Sequence, residues 1–207
     1  MTDDRSFQSL GLRNDLLSRL QQMEFTQMTL VQAAALPSAL EGKDVVAQAS
    51  TGSGKTAAFA LACLQRLENT KFHVQSLVLC PTRELAEQVA ESFRELAKHL
   101  SNTKVTTLCG GVAMGPQIGS LQHSAHVVVG TPGRVLKHLQ KGTLHLHGLT
   151  ALVLDEADRM LDMGFEEEID AIFAYLPSPR QNLLFSATFP DEVAHVVKAL
   201  SPYAVRI

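Results

Sequence analysis

The sequence predicts an α/β fold, a mostly parallel sheet of about seven strands with helices on both faces. Three observations lead there. Short apolar runs alternate with amphipathic helical stretches along the whole chain, the pattern of strands joined by helical crossovers. Several runs, such as Leu77-Val78-Leu79 and Val127-Val128-Val129, lack polar alternation, as strands covered on both faces do. A glycine-rich turn, Gly52-Ser53-Gly54, joins the first run directly to a helical pattern.

In chain order, residues 1–40 read as a helical leader, with helices over Leu10–Met23 and Thr29–Leu40 and Thr29 as a cap. The leader precedes the sheet and reads as its own small unit, serving a ligand rather than the core. Residues 41–207 carry the sheet. Its predicted strands are Asp44–Ala49, Ser76–Cys80, Lys104–Cys109, His126–Gly130, Ala151–Asp155, Asn182–Ser186 and Ala204–Ile207. The helices between them are Lys55–Leu67, Arg83–Leu100, Arg134–Lys141, Glu166–Tyr175 and Asp191–Leu200, with Pro132 and Pro190 at or near two helix starts. In such sheets, ligands bind beyond the carboxyl ends of the strands.

The bulk composition bounds the function. With 207 residues, 45% apolar and 19% charged, the chain is a soluble globular domain with ample core. A net charge of −3 argues against a basic nucleic-acid coat, though a local patch can still hold phosphates. Cys63, Cys80 and Cys109 form no metal or redox motif and imply a reduced, cytoplasmic chain with buried thiols. His145 and His147 have no third ligand nearby in sequence. The N-terminal segment lacks an apolar secretory core, and the longest apolar stretch, Ala57–Leu64, is too short to span a bilayer.

Two motifs carry chemistry. In Ala49-Ser50-Thr51-Gly52-Ser53-Gly54-Lys55-Thr56, the glycines let successive N–H groups turn inward, and the following helix adds its positive end. Lys55 can reach the β- and γ-phosphates, and the Thr56 hydroxyl can ligate Mg²⁺. The strict phosphate-loop pattern has glycine where this chain has Ala49. The second motif, Asp155-Glu156-Ala157-Asp158, ends an apolar run in three carboxylates. Beside the loop, Asp155 would hold the metal through water and Glu156 would orient and deprotonate an attacking water. Read alone, the same carboxylates equally cap and solvate a helix start.

Taken together, Gln32, ASTGSGKT, Pro81-Thr82-Arg83-Glu84-Leu85, Gly110-Gly111, Thr131-Pro132-Gly133-Arg134, DEAD and Ser186-Ala187-Thr188 resemble the first RecA-like domain of a DEAD-box ATP-dependent RNA helicase. The resemblance runs from Phe7 onward and accounts for Ala49. It implies that Phe25 stacks on adenine, that the Gln32 amide pairs with its edge, and that Phe7 supports the pocket. Residues Ser50 to Thr56 would hold the phosphates of ATP. Thr82, Arg83, Gly110, Gly111, Thr131, Gly133 and Arg134 would bind single-stranded RNA by its backbone, without base preference. By the residues alone, Arg83 and Arg134 read equally as ion-pair partners. Ser186 and Thr188 would contact Asp158 and couple hydrolysis to RNA; by the residues alone they read equally as the end of a strand and a cap for the helix after Pro190. Glu24, Met28 and Leu30 depart from the family's usual glycine and prolines.

The stretches around Thr107–Gly111 and Leu139–Thr143 are similar to bacterial DbpA-type helicases, which implies rRNA and ribosome assembly. A second RecA-like domain is expected but not found in this chain, so the chain alone should bind nucleotide without unwinding. Two alternatives stand beside this reading: an ATP-gated RNA clamp, and another P-loop motor such as a DNA helicase.

Overall fold

A computed structural model describes residues 5–207. The first four residues of the leader, which form most of the segment read for a secretory signal, lie outside them.

The leader begins with a 3-10 turn, Phe7–Leu10, closed by Gly11 at φ 65°. That left-handed residue breaks the predicted first helix, which therefore starts later, as α1 (Asn14–Gln22). Next comes α2 (Leu30–Leu40), where Thr29 and Gln32 form a reciprocal capping box.

The strands are β1 (Val45–Gln48), β2 (Ser76–Leu79), β3 (Val105–Leu108), β4 (Val127–Gly130), β5 (Ala151–Asp155), β6 (Gln181–Ser186) and β7 (Val205–Arg206). All pair in parallel, in the order β3-β4-β2-β5-β6-β1-β7. Each lies within one residue of its predicted bounds.

The crossover helices are α3 (Lys55–Gln65), α4 (Arg83–Leu96), α5 (Met114–Gln122), α6 (Pro132–Gln140), α7 (Ala157–Asp162), α8 (Glu166–Phe173) and α9 (Asp191–Leu200). Helix α4 stops short of Leu100 because the chain tightens into a 3-10 turn at Ala97–His99. Helix α6 starts at Pro132, two residues before the predicted Arg134, since proline is pre-set for the first helical position. Helix α5 was not predicted. Gly115, Pro116 and Gly119 within it read as breakers, yet Pro116 sits in the first turn, where amides have no helical partner anyway.

Alternation along each strand feeds two cores. Val78, Val153 and Phe185 face one side, where Phe59 packs against Phe93 and Phe185 with ring centroids 6.1 and 5.4 Å apart. Leu77, Leu79, Leu152 and Leu154 face the other, with Met160 and Val193. The leader does not stand apart as its own unit: Leu16, Leu20 and Leu36 are buried in the same core as Phe59. Its helices are amphipathic or apolar, and this core covers their apolar positions.

The cysteines are buried and free, and burial pushes the Cys63 thiol up to about 12. Among the described residues no helix is long and apolar enough to cross a membrane.

Candidate active site

Because every strand is parallel, all carboxyl ends meet along one edge of the sheet. The strand order divides that edge. The loops after β5, β6 and β1 are neighbours and bring together the carboxylates, the Ser186–Thr188 segment and the glycine-rich loop. The loops after β3, β4 and β2 carry Gly110-Gly111, Thr131–Arg134 and Thr82-Arg83. Strand β6 lies between the loop strand and the carboxylate strand: Ala49 donates its N–H to the Ser186 carbonyl at 2.9 Å, and Asp155 pairs in register with Phe185.

In the loop, Gly52 and Gly54 adopt φ 82° and 88°, a conformation costly for any residue with a Cβ. A Cβ on Gly54 would also stand 2.6 Å from Gln32 Nε2. Lys55 opens α3 and is buried. Its Nζ lies 2.9 Å from Asp155 Oδ1 and 3.4 Å from Glu156 Oε1.

Asp155 is fully buried, and among the described residues neither oxygen has a hydrogen bond of good angular geometry, although the Lys55 charge is close. Burial raises its pKa, with Lys55 opposing. Such a carboxylate needs donors, and the waters of a hydrated divalent cation are donors. Among the described residues, no group of three or more His, Cys, Asp or Glu could hold a metal alone. One carboxylate plus a Thr56 hydroxyl is the sparse protein set that suits Mg²⁺ held largely by water and phosphate.

Glu156 adopts a left-handed backbone, φ 56° and ψ 54°, rare for a residue with a side chain. It accepts from Thr51 Oγ1 at 3.1 Å and from Arg159 Nη1 at 3.3 Å. Burial pushes its pKa up, but Lys55, Thr51 and Arg159 outweigh that and hold it below the usual carboxylate range. Glu156 therefore stays ionised and aimed. Arg159 had no place in the sequence reading, yet its spacing from Glu156 at i,i+3 on a helix was a readable signal.

Asp158 Oδ2 accepts from the Thr188 N–H at 3.0 Å and from Thr188 Oγ1 at 2.8 Å, while the Asp158 N–H donates to Ser186 Oγ at 3.1 Å. Burial raises its pKa, but these bonds outweigh it and hold the carboxyl below its ordinary range. The structure thus brings Asp158, Ser186 and Thr188 into one cluster.

A cavity of about 710 Å³ adjoins the loop, lined by Phe25, Gln32, Gly52, Gly54 and Thr56 among others. Its size is that of small-molecule sites. Phe25 is partly exposed there and backed by buried Phe7, ring centroids 6.3 Å apart. Gln32 is mostly spent on structure: Oε1 accepts from the Thr29 N–H at 2.9 Å, and Nε2 donates to the Gly54 carbonyl at 3.0 Å. One lone pair and one N–H remain for a ligand edge. Glu24, where the family's glycine was expected, takes φ 59°, the conformation a glycine would adopt freely.

On the other half of the edge, Thr82 caps α4 through its hydroxyl, accepting from the Leu85 N–H at 3.2 Å. Thr131 stands at the start of α6 with no side-chain cap bond. Gly110, Gly111 and Arg83 are exposed, and no described residue lies within 4 Å of a Cβ placed on Gly110 or Gly133. Among the described residues Arg134 has no ion-pair partner. It donates from Nη1 to Gln117 Oε1 and from Nη2 to the Val112 carbonyl, both at 2.9 Å. Sequence reasoning missed Gln117 because it lies in the unpredicted helix α5.

The family pattern described as DEAD/DEAH box helicase matches residues 29–196. The chain belongs to this family. Relatives of this DEAD-box domain include the ATP-dependent RNA helicase DbpA of Escherichia coli, 58% identical over 87% of this chain and 39% of that protein. The DEAD-box ATP-dependent RNA helicase CshA of Bacillus cereus is 45% identical over 93% of this chain and 37% of that protein. The chain thus spans about two fifths of the relatives it matches.

Among solved structures, a DEAD box protein from Methanococcus jannaschii superposes with a TM-score of 0.93, at 38% identity, over 98% of this chain and 55% of that one. Dbp5 L327V of Saccharomyces cerevisiae, bound to RNA and ADP BeF3, superposes with a TM-score of 0.89 at 35% identity, over 98% of this chain and 51% of that one. The RecA-like α/β fold is therefore that of DEAD-box proteins.

Proposed function

We propose that this chain is the ATP-binding half of an RNA-dependent ATPase that locally separates short RNA duplexes or remodels RNA–protein complexes. The observation that supports it most is the cluster of Lys55, Asp155, Glu156, Asp158 and Thr188 on three neighbouring loops, beside a cavity with an aromatic wall and an amide.

Lys55 would exchange its carboxylate partners for the β- and γ-phosphates, and the loop amides from Ser50 to Thr56 would take the remaining oxygens. Phe25 would stack on adenine while Gln32 reads its edge. Mg²⁺, when bound, neutralises phosphate charge; Thr56 and, through water, Asp155 would hold it. Glu156, ionised and fixed by Thr51 and Arg159, would orient the attacking water and accept its proton. Asp158 would carry the state of this site to Ser186 and Thr188. Thr82, Arg83, Gly110, Gly111, Thr131, Gly133 and Arg134 would line an RNA backbone track, giving little sequence preference.

The relatives are longer than this chain, which fits a second RecA-like domain in the full-length protein. By this reading the 207-residue chain alone binds nucleotide and does not unwind. An rRNA target in ribosome assembly is what the DbpA-type resemblance implies, and the 58% identity to DbpA supports that subgroup; the free thiols support a cytoplasmic location.

The test is ATP turnover of the full-length protein with RNA and with DNA of equal length. RNA-selective stimulation that is lost in Glu156→Gln supports the reading. Equal stimulation by DNA favours another P-loop motor, and unchanged turnover in Glu156→Gln favours an ATP-gated clamp.

A further inference from the structure

The Gly110-Gly111 loop and the start of α6 are joined by a buried hub that belongs to neither motif. Gln117 on α5 donates from Nε2 to the Cys109 carbonyl at 2.9 Å. Its Oε1 accepts from Arg134 Nη1 and from His138 Nε2, both at 2.9 Å. Arg134 Nη2 holds the Val112 carbonyl at 2.9 Å. The carbonyls on both sides of Gly110-Gly111 are therefore fixed from one point. His138, fully buried on α6, is fixed in turn by Thr143, whose Oγ1 lies 2.8 Å from Nδ1.

The chemistry allows one arrangement. Arginine only donates and a carbonyl only accepts, so the Gln117 amide cannot be flipped. Its oxygen cannot donate, so His138 Nε2 carries the proton, and in the neutral ring Nδ1 accepts from the Thr143 hydroxyl, which also stands 3.2 Å from the His138 carbonyl. Burial first, then the charges of Arg134 and Lys141, keep His138 neutral.

The loop has little else to hold it. Gly110, Gly111 and Val112 are exposed, and Gly111 takes φ 81°. Among the described residues, no backbone–backbone hydrogen bond ties Gly110–Val112 to another segment. A glycine pair without such support samples many conformations, and each costs entropy when a ligand selects one.

We propose that Gln117, His138 and Thr143 are positioning residues that set the Gly110–Val112 loop against the N-terminus of α6 for one phosphate backbone. This rests on the RNA reading of those motifs.

The test uses the full-length protein with Gln117→Met, Thr143→Val and Thr143→Ser. Two readouts separate the hub from the RNA reading: amide hydrogen exchange of Gly110–Ala113 without RNA, and the RNA concentration that half-saturates ATP turnover. We expect faster loop exchange in Gln117→Met and a rise of about tenfold in the half-saturating RNA concentration. Turnover at saturating RNA and ATP affinity without RNA stay within about twofold. Thr143→Val shows the same change in smaller measure, and Thr143→Ser restores it.

Unchanged exchange and RNA half-saturation in Gln117→Met overturn the proposal, as does an equal loss of ATP affinity without RNA. Should Gln117→Met not fold, the Thr143 pair decides by the same criteria. A wild-type protein that RNA does not stimulate sinks the RNA reading, and the proposal with it; loop exchange then still reports whether the hub fixes the loop.

Discussion

Removing Lys55 isolates the electrostatics of the site. Asp155 is fully buried without a well-aligned hydrogen-bond donor among the described residues, and the ammonium 2.9 Å away compensates its charge. Replacing Lys55 by Met keeps the apolar stem and deletes the charge. Breaking a buried pair by removing one partner costs about 3–5 kcal/mol. There is also a ceiling: protonating an ordinary aspartate at pH 7 costs about 4 kcal/mol, from its reference pKa and 1.36 kcal/mol per unit. Burial has already raised Asp155, so protonation costs less than that ceiling.

Near pH 7, Lys55→Met should therefore lose about 3 kcal/mol, the lower end of the range. Urea unfolding of the 207-residue chain at a fixed slope measures it. The double variant Lys55→Met/Asp155→Asn should recover most of the loss, because Asp155 no longer carries a charge and Glu156 keeps Arg159 as its partner, while nucleotide binding stays abolished. A single-variant loss below about 1 kcal/mol, or a double variant no more stable than the single, would refute the reasoning.

Three further outcomes follow from the same geometry. Gln32→Ala should lower discrimination of ATP from GTP in competition binding and also cost about 1 kcal/mol of stability, because it opens the capping box with Thr29. Thr188→Val removes one hydroxyl bond to Asp158 but keeps the backbone bond. The stability change should stay within about 1 kcal/mol for so exposed a contact, while RNA-stimulated turnover falls more than ATP affinity.

His126 and His138 are held neutral mainly by burial, their pKa values below the ordinary one. The unfolded chain thus binds more protons, and the stability they contribute is full above about pH 6.5 and is lost as pH falls from there toward the folded values. Melting temperature should drop between pH 7.5 and pH 5.5, and His138→Gln should flatten part of that slope.

Legibility varied with how local the cause was. Strand ends were readable to within a residue because continuous Val/Leu runs and flanking polar residues report burial directly. The loop from Gly52 to Thr56 and the Asp155–Asp158 cluster were readable because each is contiguous in sequence. Helix α5 was hidden because Gly115, Pro116 and Gly119 advertise a turn, while the bonds that make the helix useful come from Arg134 and His138. The leader read as a separate unit because its apolar positions say that a face is buried, not against what. The double duty of Gln32, cap and carbonyl clamp as well as ligand reader, depends on Gly54 approaching from 22 residues away.

By itself the sequence determined the strands, the helices other than α5, the parallel sheet, the phosphate loop and the family resemblance, all products of local pattern and spacing. Only the tertiary structure decided the strand order, and with it which loops share an edge. Strand β6 inserts between β1 and β5, so Ser186 and Thr188 stand beside both the loop and Asp158. It also decided that Lys55 meets Asp155 and Glu156, and that one glutamine braces the Gly110-Gly111 loop. The physical reason is common to all three. A charge or hydrogen bond acts over a few ångströms in space, and only packing brings residues of separate elements within that reach.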